Sequence, residues 1–376
     1  MDTRIVNLLS ELVSINSVNS TLSQGPGESE IAQFIGQYLH GMKLDAEIQD
    51  IAPGRCNVVA MIPGAGQNTS LLLNGHLDTV GVEGMQDPFT LRRKGDRLFG
   101  RGTYDMKGSL AVMLLLAEHF TRHPAPMDVW LAFTADEEDK SIGMEHFVAN
   151  RLPGICPAPD AGIILEPTEL QIGTCHKGFA WFEIQVSGKA AHGSRPDEGV
   201  DAILPLKAAL EELSRIQAEL SKLPPDPLIG HATLHAATVS GGHELSVIPA
   251  RSKLQWERRT LPAESQQKLN RELERVVQAV QAVPGSHEVS GRDFFSRPPY
   301  RVADNAKILK RLQNGAPQSR PVGLSFWADS GLLGTTGMDC VLFGPAGHGA
   351  HAVDEWVSLK SLVRVYEILK QLILDY

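Results

Sequence analysis

Cysteine is scarce in this chain, and no two of the four present form a Cys-x-x-Cys pair. Cys56, Cys156, Cys175 and Cys340 are read as buried or free thiols in a reducing compartment, which points to the cytoplasm. Long apolar runs are also missing. The longest, near Leu110 to Ala117, falls far short of the ~20 residues that a membrane span requires. The opening MDTRIVNLLSELVSI lacks a basic stretch followed by an unbroken apolar core, so it does not read as a secretory signal. Basic residues are outnumbered 35 to 44, giving a net charge of -9. Without clustered Lys and Arg to meet phosphates, nucleic acid is excluded as a partner.

Three catalytic signatures are absent as well. No Gly-x-Ser-x-Gly elbow supports a serine hydrolase, and Ser194 and Ser330 lack the strand–Ser–helix context. The glycines at Gly64–Gly66 and Gly344–Gly349 do not form a nucleotide-binding loop. His231 and His235 are four residues apart but lack the Glu of His-Glu-x-x-His, and they fall in a strand-like run.

What remains is an ordinary globular composition, 42% hydrophobic and 21% charged, in 376 residues. That length favours two domains over one core. Ile5, Leu8, Leu9, Leu12 and Val13 recur at helical spacing. Short β-type runs follow at 57–62 and 70–74, then a helix over SLAVMLLLAEHF, apolar on every side and so expected deep in a core. MDVWLAFTA and AGIILEP read as strands, with a helix at EHFVANRL between them. Alternating strands and helices predict an α/β domain with a largely parallel central sheet.

The pattern changes near Gly178. FAWFEIQVSG alternates apolar and polar residues, as a strand with one solvated face does. A helix over about 200–220, strands at HATLHAATVS and RSKLQWERRT, a helix over about 264–282 and a last strand near 287–292 make a compact α+β insert. DCVLFGP and a final helix, SLKSLVRVYEILKQLI, resume the first pattern. The expected organisation is a discontinuous catalytic domain, 1–177 with 293–376, interrupted by an inserted domain at 178–292.

Chemistry-bearing residues cluster after the predicted strands. His76 and Asp78 follow SLLLN, Asp136-Glu137-Glu138 follows VWLAFTA, and Glu166 follows AGIIL. Asp105 opens the apolar helix and His351 follows VLFGP. Each piece alone is weak, since His-x-Asp and Asp-Glu-Glu are commonly surface features. Strand ends of one sheet converge, however, and two imidazoles with several carboxylates suit a catalytic zinc, cobalt or manganese ion.

In order along the chain, GHLDTV, GRGTYDMKG, TADEED, ILEPT, GKAAHGSRP, ERRTLP and FGPAGHGAHAVDE resemble one family. It is the acetylornithine deacetylase, succinyl-diaminopimelate desuccinylase and glutamate carboxypeptidase family of dinuclear zinc hydrolases. The resemblance implies two zinc ions per subunit, with cobalt or manganese as alternatives. His76 and Glu166 would hold one ion, Glu138 and His351 the other, and Asp105 would bridge them. It further implies that Asp78 hydrogen-bonds the far nitrogen of His76 and that Glu137 is the general base. His192 would stabilise the oxyanion, often in the partner subunit's site, which makes the insert a lid and dimerisation domain; a closed monomer is the alternative. Arg259 would grip the substrate carboxylate, with its neighbour Arg258 as the competing candidate.

Many family members have Asn-Val-Ile-Pro where this chain has Ser246-Val247-Ile248-Pro249, so the substrate contact made there differs. Glu166, CHKG and ERRTLP look most like acetylornithine deacetylases. The implied function is an N-acyl amino acid deacylase. A metallo-carboxypeptidase or dipeptidase is the alternative, and a non-catalytic metal-binding protein of the same fold a minor one.

Overall fold

The N-terminal apolar stripe forms the helix Asp2–Ser14 and buries Ile5, Leu8, Leu9, Leu12 and Val13. Its neighbour in space is Gly108–Arg122, whose residues Gly108 to Ala117 are all buried, as an all-apolar helix requires. The closing helix Leu359–Leu374 packs against both. The computed structural model describes residues 1–66, 69–156, 158–285 and 287–376.

The chain divides into two units. The first comprises Met1–Thr174, Val302–Val322 and Ala328–Tyr376, and the second Cys175–Arg301 with Gly323–Trp327. At the heart of the first lies a sheet in which Asp128–Thr134, Ser70–His76, Ala161–Ile164 and Asp339–Leu342 are adjacent and mutually parallel. Antiparallel strands flank these four: Arg55–Ile62 and Ala46–Ala52 on one side, Ile172–His176 on the other. Ser70–His76 is buried along its whole length, as a strand in the middle of a covered sheet must be.

The second unit is an antiparallel four-stranded sheet with Thr233–Gly241 at one edge, then Arg251–Thr260, Gly178–Ser187 and Glu288–Arg297. Alternate residues Ala180, Phe182, Ile184 and Val186 face a core completed by the helices Leu206–Leu220 and Gln266–Gln281. Two details correct the sequence reading. The first helix begins at Leu206 rather than near Val200, because the Asp201 carboxylate accepts the Ile203 and Leu204 amides in a turn that ends at Pro205. The last strand runs on to Arg297, so the unit extends to Arg301 rather than ending near 292. None of the four cysteines forms a disulfide, and among the described residues no helix is long and apolar enough to cross a membrane.

Candidate metal centre

Three neighbouring parallel strands deliver most of the site at their carboxyl ends. His76 is the last residue of Ser70–His76, Asp136-Glu137-Glu138 follows Asp128–Thr134, and Glu166 follows Ala161–Ile164. Asp105 comes from the turn before the buried helix, next to a cis Asp105–Met106 peptide. His351 comes from the loop after Asp339–Leu342, with a left-handed φ of 65°.

Asp105 stands between the two imidazoles. Its Oδ1 is 3.0 Å from His76 Nε2 and its Oδ2 is 3.5 Å from His351 Nε2. Glu166 Oε1 lies 3.8 Å from His76 Nε2, and Glu138 Oε2 lies 2.9 Å from His351 Nε2. Donor atoms of His76, Asp105 and Glu138 lie within 4.8 Å of one another, as do those of His76, Glu137 and Glu166. All five expected ligands therefore meet in one place, with Glu137 beside them.

Crowded carboxylates make this cluster demand positive charge. Burial and the Glu166 carboxylate hold Glu137 well above the usual carboxyl range. Burial, with Asp105 and Glu138 nearby, does the same to Glu166 despite the His76 ring. Burial and Asp105 push Glu138 up to about 7. Burial would also raise Asp105, but His351 and His76 outweigh it and hold that carboxyl low. Hydrogen bonds that its ring donates to Asp105 and Glu138 raise His351 to about 10. One oxygen, Glu138 Oε1, is buried with no hydrogen-bond donor. Four carboxylates around two imidazoles, with no thiolate, fit divalent cations of the zinc, cobalt or manganese kind.

Asp78 differs from expectation in how it meets His76. The short contact to His76 Nδ1, 2.9 Å, comes from the Asp78 backbone carbonyl, whereas the carboxylate is 3.6 Å away. A carbonyl only accepts, so Nδ1 carries a proton, which leaves Nε2, the nitrogen aimed at Asp105 and Glu166, as the one that can ligate a metal. The Asp78 carboxylate instead accepts the backbone N–H groups of Glu137 at 3.0 Å and Glu138 at 3.2 Å, and the Asn19 amide at 2.8 Å.

Sequence reasoning also missed Glu355. Fully buried, it accepts from Arg101 Nη1 and from the backbone N–H groups of Gly102, Tyr104 and Asp105. The run HAVDE contains it, but nothing local distinguishes it from a solvated acid. Gly344 has a similar hidden role: a Cβ there would sit 2.1 Å from the Glu166 carbonyl oxygen.

The remaining expected residues belong to the second unit. His192 pairs with Val247 in a two-residue bridge, and the Gly193 amide donates to Ser246 O at 2.8 Å, so His192 and Ser246 are neighbours. The Ser194 backbone N–H donates to His192 Nδ1 at 3.2 Å, which leaves the neutral ring with its hydrogen on Nε2. Arg258 is fully buried, paired with Glu272 at 2.9 Å and Glu264 at 2.5 Å. Arg259 points to the other face of the strand, a third exposed, stacked over Phe179 and bonded to Glu257. Of the two arginines, only Arg259 has a partly exposed side chain.

Comparison with known proteins agrees with this architecture. The profile of peptidase family M20/M25/M40 matches residues 72–375. Acetylornithine deacetylase of Buchnera aphidicola is 26% identical over 379 residues, covering 99% of this chain and 97% of that protein. The Aliivibrio salmonicida enzyme of the same name is 31% identical over 287 residues, 74% of each chain. A family M20 metallo-carboxypeptidase from Sulfolobus solfataricus shares the fold with a TM-score of 0.78, at 19% identity over 98% of both chains. The chain belongs to peptidase family M20/M25/M40. It is a hydrolase of that family.

Proposed function

We propose that this protein hydrolyses the amide bond of N-acyl amino acids, using two zinc ions held by His76 and Glu166, by Glu138 and His351, and by Asp105 between them. The observation that carries the reading is the meeting of these five side chains in one cluster, with Asp105 between the two imidazoles and Glu137 beside them. Relatives that bear the name acetylornithine deacetylase support the choice of substrate class.

When bound, the ions supply Lewis-acid polarisation of the scissile carbonyl and bring the ionisation of water toward neutral pH. Glu137 takes the proton from the attacking water and returns one to the leaving amine. His192 donates from Nε2 to the developing oxyanion, supported by the tautomer that Ser194 imposes. Arg259 pairs with the substrate carboxylate through its planar fork, and Ser246 offers a single hydroxyl beside His192.

The second unit serves as lid and dimerisation domain. Support comes from its edge strand Thr233–Gly241, exposed along most of its length, and from exposed Leu204, Leu210 and Val239. The chemistry places no demand on a membrane, and the disulfide-free cysteines suit the cytoplasm.

The test is a panel of N-acetyl, N-formyl and N-succinyl amino acids, beginning with N-acetylornithine, together with dipeptides, presented to zinc- or cobalt-loaded protein. Release of free amino acid from the acylated compounds supports the proposal. Preference for dipeptides would make the enzyme a peptidase, and failure to hold metal at stoichiometric levels would refute the reading.

A further inference from the structure

Five N–H donors of one buried guanidinium are all engaged a short distance behind the carboxylate cluster. Arg55 Nε donates to Ser20 Oγ at 2.9 Å. Its Nη1 donates to Glu28 Oε1 at 2.9 Å and Asp136 Oδ1 at 2.6 Å. Its Nη2 donates to Asn19 Oδ1 at 2.8 Å and Thr21 Oγ1 at 2.9 Å. The side chain is 3% exposed.

Asn19 passes this constraint forward. Its Oδ1 accepts from Arg55 and from the backbone N–H groups of Thr21 and Leu22. Those three donors leave one orientation for the amide, with Nδ2 aimed the other way. Nδ2 then uses both hydrogens, one to Asp78 Oδ2 at 2.8 Å and one to Asp136 Oδ1 at 2.9 Å. Asp78 in turn holds the Glu137 amide on Oδ1 and the Glu138 amide on Oδ2. Asp136, which begins that turn, has a φ of 67°, a left-handed conformation that side-chain-bearing residues seldom adopt without outside support.

We infer that Arg55 and Asn19 are positioning residues: through Asp78 and Asp136 they fix the turn that sends Glu137 to proton transfer and Glu138 to metal ligation. The inference rests on the proposed function, since it assumes those two roles. Its physical content is separate. Adjacent residues can serve different purposes only if the backbone between them is held, and Asp78 can hold it only while its own carboxylate cannot rotate. Without Asn19, only the Glu137 and Glu138 amides, which belong to the turn being positioned, would keep the Asp78 carboxylate from turning toward the His76 ring, now 3.6 Å away. A buried charge cluster adds little net stability by itself and is better suited to selecting one conformation.

Three variants test this: Arg55→Met, Asn19→Leu and the milder Asn19→Ser. Leu116→Ala, at a fully buried side chain of the helix Gly108–Arg122, serves as a control that loses packing alone. Each is measured for thermal midpoint, for zinc affinity by competition with a chromophoric chelator, and for kcat and KM on the best substrate. The network variants are expected to lose about 10- to 100-fold in zinc affinity or kcat, the usual effect of removing support from metal ligands. KM should stay within about threefold, because ground-state substrate contacts are untouched. Leu116→Ala should lower the midpoint with zinc affinity and kcat unchanged. Network variants that melt early yet keep wild-type zinc affinity and kcat would overturn the inference, and Asn19→Ser decides the matter if Arg55→Met does not fold. Wild-type protein that holds no zinc refutes the proposed function instead, so the two failures are distinct.

Discussion

Glu355 accepts the backbone N–H of Asp105 at 3.1 Å, and through Arg101 and two further amides it holds the whole turn from which Asp105 projects. Four residues before Glu355 in the chain stands His351, the imidazole on the other side of Asp105. One buried carboxylate therefore ties together the two loops that bring Asp105 and His351 side by side. Glu355→Ala strands the Arg101 guanidinium in the interior, at an expected cost of about 3–5 kcal/mol. Chemical denaturation should show that loss, and zinc titration of the folded fraction should show weaker binding.

Glu137→Gln keeps the size of the side chain and removes its capacity to accept and release a proton. Turnover is expected to fall by about 10²- to 10⁴-fold, the usual contribution of a general base. Zinc stoichiometry should stay that of the wild type, because Glu138 and not Glu137 is the proposed ligand. Near wild-type turnover in this variant would remove Glu137 from the mechanism.

Arg258 and Arg259 should separate cleanly. Arg258→Met leaves buried Glu272 without its cation and Glu264 with Lys268 alone, so stability should drop by about 3–5 kcal/mol. Arg259→Met should leave the melting curve nearly unchanged and raise KM by about 10- to 100-fold, from the ~1.5–3 kcal/mol that a charged hydrogen bond contributes. Thermal melts and Michaelis plots of the two variants, run side by side, settle which arginine meets substrate.

A pH dependence of stability follows from His176, which is fully buried against Tyr300 and Trp327 in the second unit. Burial depresses its proton affinity, bringing the pKa down to about 4 from 6.5. Between those values the unfolded chain binds the proton more readily than the folded one. The stabilisation is therefore complete above pH ~6.5 and is lost as pH falls toward 4, on the order of 3 kcal/mol in all. His176→Gln should flatten the melting temperature between pH 6.5 and 4. An unchanged slope would show that other groups set it.

Much of the catalytic unit is legible in the sequence because its signals are local. Apolar runs such as SLLLN and VWLAFTA must be covered strands, and polar residues immediately after them must lie at the sheet's carboxyl edge. That is how His76, Glu138 and Glu166 come to notice without any coordinates. The supports are a different matter. Asn19 caps the short helix Ser20–Ser23, and its second duty toward Asp78 depends on a partner 59 residues away. Arg55 and Glu355 are charged residues whose burial only the folded chain creates. Asp78 shows the same limit on a finer scale, since spacing places it beside His76 but cannot say whether carbonyl or carboxylate makes the contact. The helix Ser29–Gly41 was within reach, as Ile31, Ala32, Ile35 and Leu39 recur at helical spacing.

The strand Asp339–Leu342 lies between Ala161–Ile164, to which it is parallel, and Ile172–His176, to which it is antiparallel. Its two neighbours emerge from the ribosome long before it does, with the entire second unit synthesised in between. During that interval the place of Asp339–Leu342 is an empty slot along Ala161–Ile164, whose edge toward it is unpaired. A strand from another chain can occupy the slot, so folding yield should depend on protein concentration and on how quickly the last forty residues arrive.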